Sequence, residues 1–154
     1  MWKALWAIKA PGKMLITLWR FAHDCLPSGR QLQKRHIPAS PLCIHCSKEE
    51  PIEHALLFCP YARAVWSGIK QFYDIQLNRR GFNSPKTWIF DFLARGGAVQ
   101  ATVLAVTCWH IWDARNKLRE ENVMISPVGL SAKIKAYVDM ILEYLYVPKP
   151  NHRR

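Results

Sequence analysis

Four potential metal ligands lie close together in the first half of the chain, in the segment CIHCSKEEPIEHALLFC. Cys43 and Cys46 form a C-x2-C pair, and His54 and Cys59 form an H-x4-C pair. Structural zinc sites bind Zn²⁺ in a closed tetrahedron of thiolate sulfur and imidazole nitrogen. A tight turn can direct the first two sulfurs to one point, and about one turn of helix can project the second pair towards it. The segment therefore predicts one structural zinc site held by these four residues.

Two other interpretations of the cysteines have to be weighed. A redox C-x2-C motif is expected at the start of a helix that follows a strand, and no such pattern precedes Cys43. His45 lies between the two cysteines and could in principle replace one of them as a ligand. We prefer Cys43 and Cys46, because His45 is adjacent to Cys46 and would have to fold back sharply to share its tetrahedron.

The composition indicates a globular intracellular protein. The chain has 154 residues, of which 50% are apolar and 12% aromatic, so it can bury a core as one unit or as two small coupled ones. Five cysteines, three of them grouped around a histidine, argue against a secreted disulfide framework. No signal peptide or membrane anchor is expected, since polar residues interrupt every long apolar run. We expect a nuclear or cytoplasmic protein that is not secreted and has no membrane partner.

The charge is strongly basic and unevenly distributed. Lys and Arg number 22 against 11 Asp and Glu, which gives a net charge of +11. Residues 1–48 carry only one acid, Asp24, among their basic side chains. A partner with dense negative charge is therefore expected, and nucleic acid is the commonest such partner. The alternative is that the charge only keeps a tryptophan-rich chain soluble.

Apolar periodicity predicts helices throughout the first half. A short amphipathic element covers residues 2–9, and a helix covers 13–25. Ser28 is a candidate N-cap for a short helix, and the chain should become helical again around His54. Pro60 starts a further helix, whose buried stripe is expected to contain Ala62, Val65, Trp66, Ile69 and Phe72 or Tyr73.

The second half shows the same pattern after a break. Gly, Asn, Ser and Pro at 78–85 predict a linker. A short helix is predicted over 86–94 and a long helix over 98–121, and Ser126 is expected to cap the last helix of the chain. The apolar stripe of that last helix contains Leu130, Ile134, Tyr137, Val138, Ile141, Leu142 and Leu145. We therefore predict a mainly α fold, in which a small helical CCHC zinc-binding unit is followed by a helical C-terminal region. The predicted division is a zinc-binding domain (1–77), a linker (78–85), a C-terminal helical region (86–147) and a basic tail (148–154).

Three segments carry a more specific pattern: LWAIKAPGKMLITLWRFAHDCLPSGRQLQKRHI, CIHCSKEEPIEHALLFCPYARAVW and CWHIWDARNKLREE. In their order they resemble the zinc-binding domain that follows the polymerase region in non-LTR (LINE-type) retrotransposon reverse transcriptases of plants. The matching residues are Trp6, Pro11, Lys13, Trp19, Arg20, Leu26, Pro27, residues 30–35, Cys43, Cys46, Glu50, His54, Cys59, Pro60, Val65 and Trp66.

The resemblance covers residues 1 to about 70 closely, and Trp109, Trp112, Arg115 and Asn116 extend it. Two features of the larger elements are missing. The chain has no Tyr-x-Asp-Asp motif, and two-metal catalysis needs such acids. No ribonuclease H pattern follows either, because the later aspartates fall in separate helical segments, namely Asp74, Asp91, Asp113 and Asp139. We expect a stand-alone fragment or an adopted relic of such an element.

An enzymatic role is not expected. Four protein ligands would leave zinc no open position for water, and the sequence has no Gly-rich phosphate loop or Ser, His, Asp grouping. His110 on the long helix is read as a satisfied core histidine. Cys25 and Cys108 are read as small buried hydrophobes. His23, His36 and His152 have no recognisable partners, and no small-molecule substrate is expected.

The function expected is a non-catalytic module that binds RNA or single-stranded nucleic acid with little sequence selectivity. The predicted contacts are Lys13, Arg20, Arg30, Lys34, Arg35, Lys48 and Arg63. A solvated helix face is the alternative explanation of this cluster. The alternative function is a structural or protein-interaction module, in which tryptophans such as Trp2, Trp66 and Trp88 dock on a polymerase or another partner.

Overall fold

The structure is a computed structural model that describes the backbone of residues 1–146 and the side chains of residues 1–144. Within this part the chain forms seven α-helices, one π-helical turn and no strand, which confirms the mainly α fold. The predicted basic tail and the side chain of Leu145 lie outside the described residues. The helices are α1 Trp2–Trp6, α2 Gly12–Ala22, α3 Gly29–Lys34, α4 Pro60–Lys70, α5 Pro85–Arg95, α6 Ala98–Glu121 and α7 Pro127–Tyr146, and the π-helical turn is His54–Phe58.

Serine hydroxyls cap three of the helices. Ser28 Oγ accepts a hydrogen bond from the backbone N–H of Gln31 at the start of α3 (3.4 Å). Ser84 and Ser126 accept the equivalent hydrogen bonds from the backbone N–H of Thr87 in α5 and of Gly129 in α7. Proline occupies the first position of α4, α5 and α7, where its missing N–H costs nothing. The caps predicted at Ser28 and Ser126 are confirmed.

Three helices end earlier than predicted or change what they bury. Helix α1 ends at Trp6, and α2 ends at Ala22 instead of Cys25. After α2 the backbone of Asp24 turns into the left-handed region (φ 50°), which an α-helix cannot continue through. Helix α4 ends at Lys70. Of the two alternatives for the end of its stripe, Phe72 is 45% exposed, whereas Tyr73 is partly buried and packs against the core.

Helix α6 is the centre of the core. Every residue from 102 to 108 is buried, as its apolar first half predicts. It contacts α2, α4, α5, α7 and the π-helical turn. Asn122, in the left-handed region, ends it. In the described residues, none of the helices combines the length and the apolar character that crossing a membrane requires.

The two halves of the chain share one hydrophobic cluster. Helix α4, from the first half, packs on α7, from the second. The segment predicted as a linker is also attached on both sides. Arg79 Nε donates a hydrogen bond to the carbonyl of Leu57 (2.9 Å), and Trp88 Nε1 donates one to the carbonyl of Asn78 (3.0 Å). The C-terminal helices therefore pack directly on the zinc-binding unit, and the division at 78–85 stays a prediction about the sequence.

Candidate metal centre

A tight loop presents the first two cysteines. Leu42 and Glu49 form an isolated antiparallel bridge that closes this loop. Inside it, the backbone N–H of Cys43 donates to the carbonyl of Lys48 (2.7 Å), and that of Ser47 donates to the carbonyl of Cys43 (2.8 Å). Ser47 turns the chain with a left-handed φ of 64°. The loop thus reverses direction within a few residues and brings the sulfur of Cys46 back beside that of Cys43.

The second pair of ligands depends on the π-helical turn. In an α-helix with 3.6 residues per turn, residues five positions apart point about 140° away from each other. His54 and Cys59 have this spacing, but they flank a π-helical turn in which Cys59 N–H bonds to His54 C=O (2.8 Å). A π-helix joins residues i and i+5, so both side chains emerge on the same side. In this chain the π-helical turn brings the H-x4-C pair together.

The four predicted ligands converge on one point. Their ligand atoms all lie within 4.8 Å of one another. The sulfurs of Cys43 and Cys59 are 3.7 Å apart, and Cys46 Sγ lies 3.1 Å from His54 Nε2. A tetrahedron with Zn–S bonds of ~2.3 Å has sulfur–sulfur edges of about 3.8 Å, whereas a disulfide needs ~2.05 Å. Both the donor set and the spacing therefore fit a closed Zn²⁺ site.

Two of the thiols, those of Cys43 and Cys59, are hydrogen-bonded to each other. Cys43 and Cys59 are both buried. The hydrogen bond with Cys59, followed by burial, raises the pKa of Cys43 to about 12. The same hydrogen bond lowers the pKa of Cys59. The first proton of the pair therefore leaves easily and the second resists, because two thiolates at this distance repel each other. A bound zinc ion would remove that repulsion, since coordinating thiols are deprotonated.

His45 lies outside the metal cluster. Its ring stacks on Tyr61, with centroids 3.9 Å apart and planes 4° from parallel. Neither of its ring nitrogens has a hydrogen-bond partner, although both are buried. Burial lowers the pKa of His45, which favours the neutral ring. The structure therefore groups the two cysteines of the loop with His54 and Cys59 and uses His45 for packing.

The family described as zinc-binding in reverse transcriptase matches residues 1–66, a range that contains all four ligands. Residues 1–66, which are less than half of the chain, are similar to this zinc-binding domain. Its cofactor is Zn²⁺, and the resemblance deduced from the sequence is confirmed over this range.

A protein of Arabidopsis thaliana, provisionally named a ribonuclease H protein, is 27% identical to the chain over 118 residues. The alignment covers 72% of this chain and 18% of the relative, so the chain spans less than a fifth of that protein. The alignment is longer than the zinc-binding domain and therefore includes part of the C-terminal helices. No solved structure gives a significant match.

A buried ion pair joins the zinc-binding domain to helix α6. Glu50 lies between the two ligand pairs and is fully buried, and Arg115 of α6 is 4% exposed. Arg115 Nε donates to Glu50 Oε2 (3.1 Å), and its Nη2 contacts Oε1. The backbone N–H of Gly29 donates to the same Oε1 (2.7 Å). One carboxylate thus connects the start of α3, the loop of residues 40–51, which we call the zinc loop, and α6.

Further contacts hold the guanidinium and the loop in place. Arg115 lies over the ring of Trp112 (4.5 Å) and donates to Asn116 Oδ1 (2.9 Å). Arg119, one turn later, donates to the carbonyl of Ser40 (2.8 Å). The resemblance named Glu50 and Arg115 separately, but their pairing was missed. The available signal was an arginine at the first polar turn after the apolar half of helix α6.

Gly29 is required by close packing at this junction. A Cβ atom at this position would lie 2.1 Å from the carbonyl oxygen of Pro41. Such a contact is too short for any side chain, and backbone cannot move aside cheaply. The start of α3 therefore lies directly against the segment that leads into the zinc loop.

The seven predicted basic contacts fall into separate groups. Lys13 and Arg20 lie on the exposed face of α2, and the ammonium of Lys13 is 4.3 Å from the ring centroid of Trp109. Arg30 and Lys48 line a groove beside His54. The remaining three are exposed on α3, after it, and on α4, namely Lys34, Arg35 and Arg63.

The groove also contains a cation that the sequence analysis missed. Arg79 lines it together with Arg30 and Lys48. Burial, and then the nearby charge of Arg63, lower the pKa of Arg79. The proximity of these two arginines could not be read from a segment interpreted as a linker.

Two of the three tryptophans proposed for docking are buried. Trp66 is 0% and Trp88 3% exposed, and the indole N–H of Trp66 donates to the carbonyl of Leu56 (2.9 Å). The prediction that they dock on a partner is therefore wrong, because both are part of the core. Trp2 remains half-buried.

The remaining histidine and cysteine predictions concern the core. His110 is 2% exposed, and its Nδ1 lies 2.7 Å from the carbonyl of Val106, which confirms a satisfied core histidine. Cys108 is fully buried, and burial raises the pKa of its thiol. Cys25 is only half-buried, because α2 ends before it.

Proposed function

We propose that the chain is a non-catalytic zinc-binding module that binds RNA or single-stranded DNA with little sequence selectivity. The observation that carries this proposal is a groove of about 410 Å³ beside the zinc ligand His54. Its lining combines cations with aromatic rings, namely Arg30, Lys48, Arg79, Phe58 and Phe82. Basic grooves with aromatic side chains are typical of proteins that bind single strands through phosphates and stacked bases.

The three cations of the groove lie beside two acids, so its net charge alone does not favour an anionic ligand. Glu49 and Glu53 also line it, and Glu49 lies 3.6 Å from Arg30. This ion pair is exposed on both sides and therefore weak, so Arg30 remains available to a phosphate. The third acid of the segment, Glu50, is occupied by Arg115. A closed zinc centre with three thiolates carries about −1, so attraction has to come from the arginines and Lys48.

The form of the metal centre supports a structural role for zinc. All four coordination positions can be filled by protein side chains. Catalytic zinc sites keep one position for water or substrate. Zinc would then fix the loop that carries Lys48 and the turn that carries Phe58, and so shape the groove.

The test is the salt dependence of binding to a labelled oligonucleotide. Each phosphate contact contributes a slope of about −0.7 to −0.9 to the plot of log affinity against log salt concentration. The double variant Arg30→Gln, Lys48→Gln should reduce that slope by about 1.4–1.8. The matched control is Lys70→Gln, Lys133→Gln, which removes two exposed cations outside the groove and should change the slope much less.

Two results would overturn the proposal. If the groove variant and the control have the same affinity and slope, the groove does not bind the nucleic acid. If the zinc-loaded wild type binds no oligonucleotide at low salt, the alternative of a structural or protein-docking module is supported. Elemental analysis must show equal zinc content in all three proteins for the comparison to hold.

A further inference from the structure

A second surface of the molecule combines stacked rings with cations and shares no residue with the groove. The ring of His23 stacks on Trp2, with centroids 4.8 Å apart and planes 11° from parallel. The ring of Trp19 is also close to His23, with centroids 4.2 Å apart and planes tilted by 55°. Phe90 of α5 contacts Trp2 edge-on (4.9 Å). We call this group of Trp2, Trp19 and His23 the ring stack.

The ring stack is open to solvent. Trp19 is 36% exposed, and Trp6, one turn from Trp2 on α1, is 47% exposed. His23 is exposed as well. Large aromatic side chains are usually covered in a folded protein, and several of them uncovered together mark an interaction site. In the part of the chain that the structure describes, Trp19 and His23 are left partly uncovered, whereas Trp2 is half-buried and packs against the core.

Cations surround the ring stack. The ammonium of Lys86 lies 5.5 Å from the ring centroid of Trp2. Arg20 and Lys3 are exposed and follow Trp19 and Trp2 directly in the sequence. Asp24 is the sole acid in the first 48 residues, and it is half-buried. On α5, Asp91 follows Phe90 and is paired with Arg95 (3.0 Å). The cations of this surface therefore outnumber its acids, which matches a polyanion.

This combination favours nucleic acid over an apolar protein partner. A protein that covered the indole rings would also have to take Lys3, Arg20 and Lys86 out of water, which costs free energy unless each cation is paired. A nucleic acid strand provides a phosphate for the cations and a flat base for the rings. Base stacking on aromatic side chains is worth about 1–3 kcal/mol per base.

The exposed rings also select the type of strand. In a duplex the faces of the bases are covered by their stacked neighbours, so an indole can reach them only in an unpaired strand. We propose that the ring stack is a second contact surface that stacks unpaired bases, with Trp19 as the main contact and Arg20 and Lys86 on the neighbouring phosphates. This rests on the proposed nucleic-acid function and adds the kind of strand and contact.

The experiment compares two oligonucleotides of equal length, one with thymine bases and one with abasic sites at the same positions. Both carry the same phosphates, so only base contacts distinguish them. Wild-type protein should bind the thymine strand about 5–150-fold more tightly, which is the factor that 1–3 kcal/mol of stacking gives. Trp19→Ala should lose the part of this preference that the ring stack contributes, by weakening binding to the thymine strand alone, and Trp19→Phe should retain some of that part. Any preference that comes from Phe58 and Phe82 in the groove should remain in both variants.

A matched control separates this effect from a general loss of an aromatic residue. Phe72 is 45% exposed and lies 5.3 Å from the ammonium of Lys135, so Phe72→Ala removes a similar ring beside a similar cation elsewhere. This variant should keep the wild-type preference for bases. Equal thermal stability and zinc content of the variants show that the fold is intact.

The outcomes distinguish the two proposals. Arg30→Gln with Lys48→Gln should weaken binding to both strands equally, because it removes phosphate contacts. If Trp19→Ala weakens both strands equally, or neither, the ring stack does not bind bases and this inference is wrong, while the groove proposal stands. If only Trp19→Ala has an effect, the groove proposal fails and the ring stack remains. Repeating the assay with a uridine RNA strand shows whether RNA or DNA is the stronger ligand.

Discussion

The zinc loop and helix α6 are stabilised in different ways. In residues 40–51, Cys43 and Glu50 are the buried side chains, one a metal ligand and the other half of an ion pair. In residues 102–108 of α6, every side chain is buried. The helix is held by apolar packing, which contributes ~25 cal/mol per Å² of buried apolar surface. The loop has almost no such surface and depends on zinc and on one carboxylate. The first three changes below test that difference, and a fourth gives the scale of an exposed contact.

The largest effect is expected from loss of zinc. Structural zinc contributes on the order of 10 kcal/mol of apparent folding free energy at neutral pH. Cys46→Ser should therefore unfold residues 40–66, while residues 102–108 retain part of their protection. Hydrogen exchange measures both regions in one experiment, and elemental analysis should find the zinc gone. Cys25→Ser, outside the cluster, should keep one zinc per chain. A Cys46→Ser variant with native exchange in the presence of chelator would contradict this prediction.

Breaking the buried ion pair should have the next largest effect. Glu50→Gln leaves the Arg115 charge buried without its partner, and removal of one member of such a pair costs about 3–5 kcal/mol. Urea unfolding of the zinc-loaded protein measures this loss. Glu53→Gln, three residues away and half-buried, is the control and should change stability by less than about 0.5 kcal/mol.

A double-mutant cycle then tests the coupling. Glu50→Gln combined with Arg115→Met should destabilise less than the sum of the single changes, because the second change removes the unpaired charge. Equal losses for Glu50→Gln and Glu53→Gln would show that the pair does not attach the loop to α6.

A cavity in α6 should lower stability without loosening the loop. Leu104 is fully buried, and Leu→Ala changes in cores cost about 2–5 kcal/mol. Leu104→Ala should lower the free energy of unfolding by this amount and still bind one zinc per chain. Val128→Ala, at a side chain that is 82% exposed, is the control. Loss of zinc from the Leu104→Ala protein before global unfolding would mean that the loop depends on apolar packing after all.

The smallest effect is expected from an exposed ion pair on α7. Asp139 accepts hydrogen bonds from Lys135 Nζ (2.6 Å) and from the hydroxyl of Tyr73 (2.6 Å). Both hydrogen bonds lower the pKa of Asp139, and the one from Lys135 has the larger effect. Because its side chain is 46% exposed, Asp139→Asn should cost only a few tenths of a kcal/mol. Glu143→Gln, also exposed on α7, is the control.

The pH dependence of that small effect has a definite sign. A carboxyl group with a lowered pKa in the folded state contributes stability above its unfolded pKa. The contribution is lost as pH falls through the lowered folded value. The difference between wild type and Asp139→Asn should therefore be present at pH 7 and disappear in acid. A difference that grows in acid would show that the aspartate is not stabilised in its charged form.

Local patterns in the sequence predicted much of the fold. The limits of α6 were predicted at Ala98 and Glu121 as the structure has them, because an apolar period flanked by Gly97 and Asn122 is a local signal. The spacing of Cys43, Cys46, His54 and Cys59 predicted the metal cluster for the same reason, since ligand spacing within one segment limits where the side chains can go.

Features that depend on distant residues were not predictable in this way. Glu50 and Arg115 are 65 positions apart, and nothing in either segment identifies the other as its partner. In the sequence, Trp88 lies beside a predicted linker and was expected to be exposed. In the structure its indole N–H donates a hydrogen bond to the carbonyl of Asn78, and the ring is buried. The π-helical turn was also missed, because helical periodicity was assumed to be 3.6 throughout.

The ion pair between Glu50 and Arg115 has a consequence for how the domain evolves. The family match ends at residue 66, but the carboxylate that lies between the ligand pairs has its guanidinium partner beyond that limit. A lineage that lost helix α6 would inherit a buried, unpaired acid. Selection should therefore keep the two segments together, and positions 50 and 115 should change in concert among descendants, as residues in contact do.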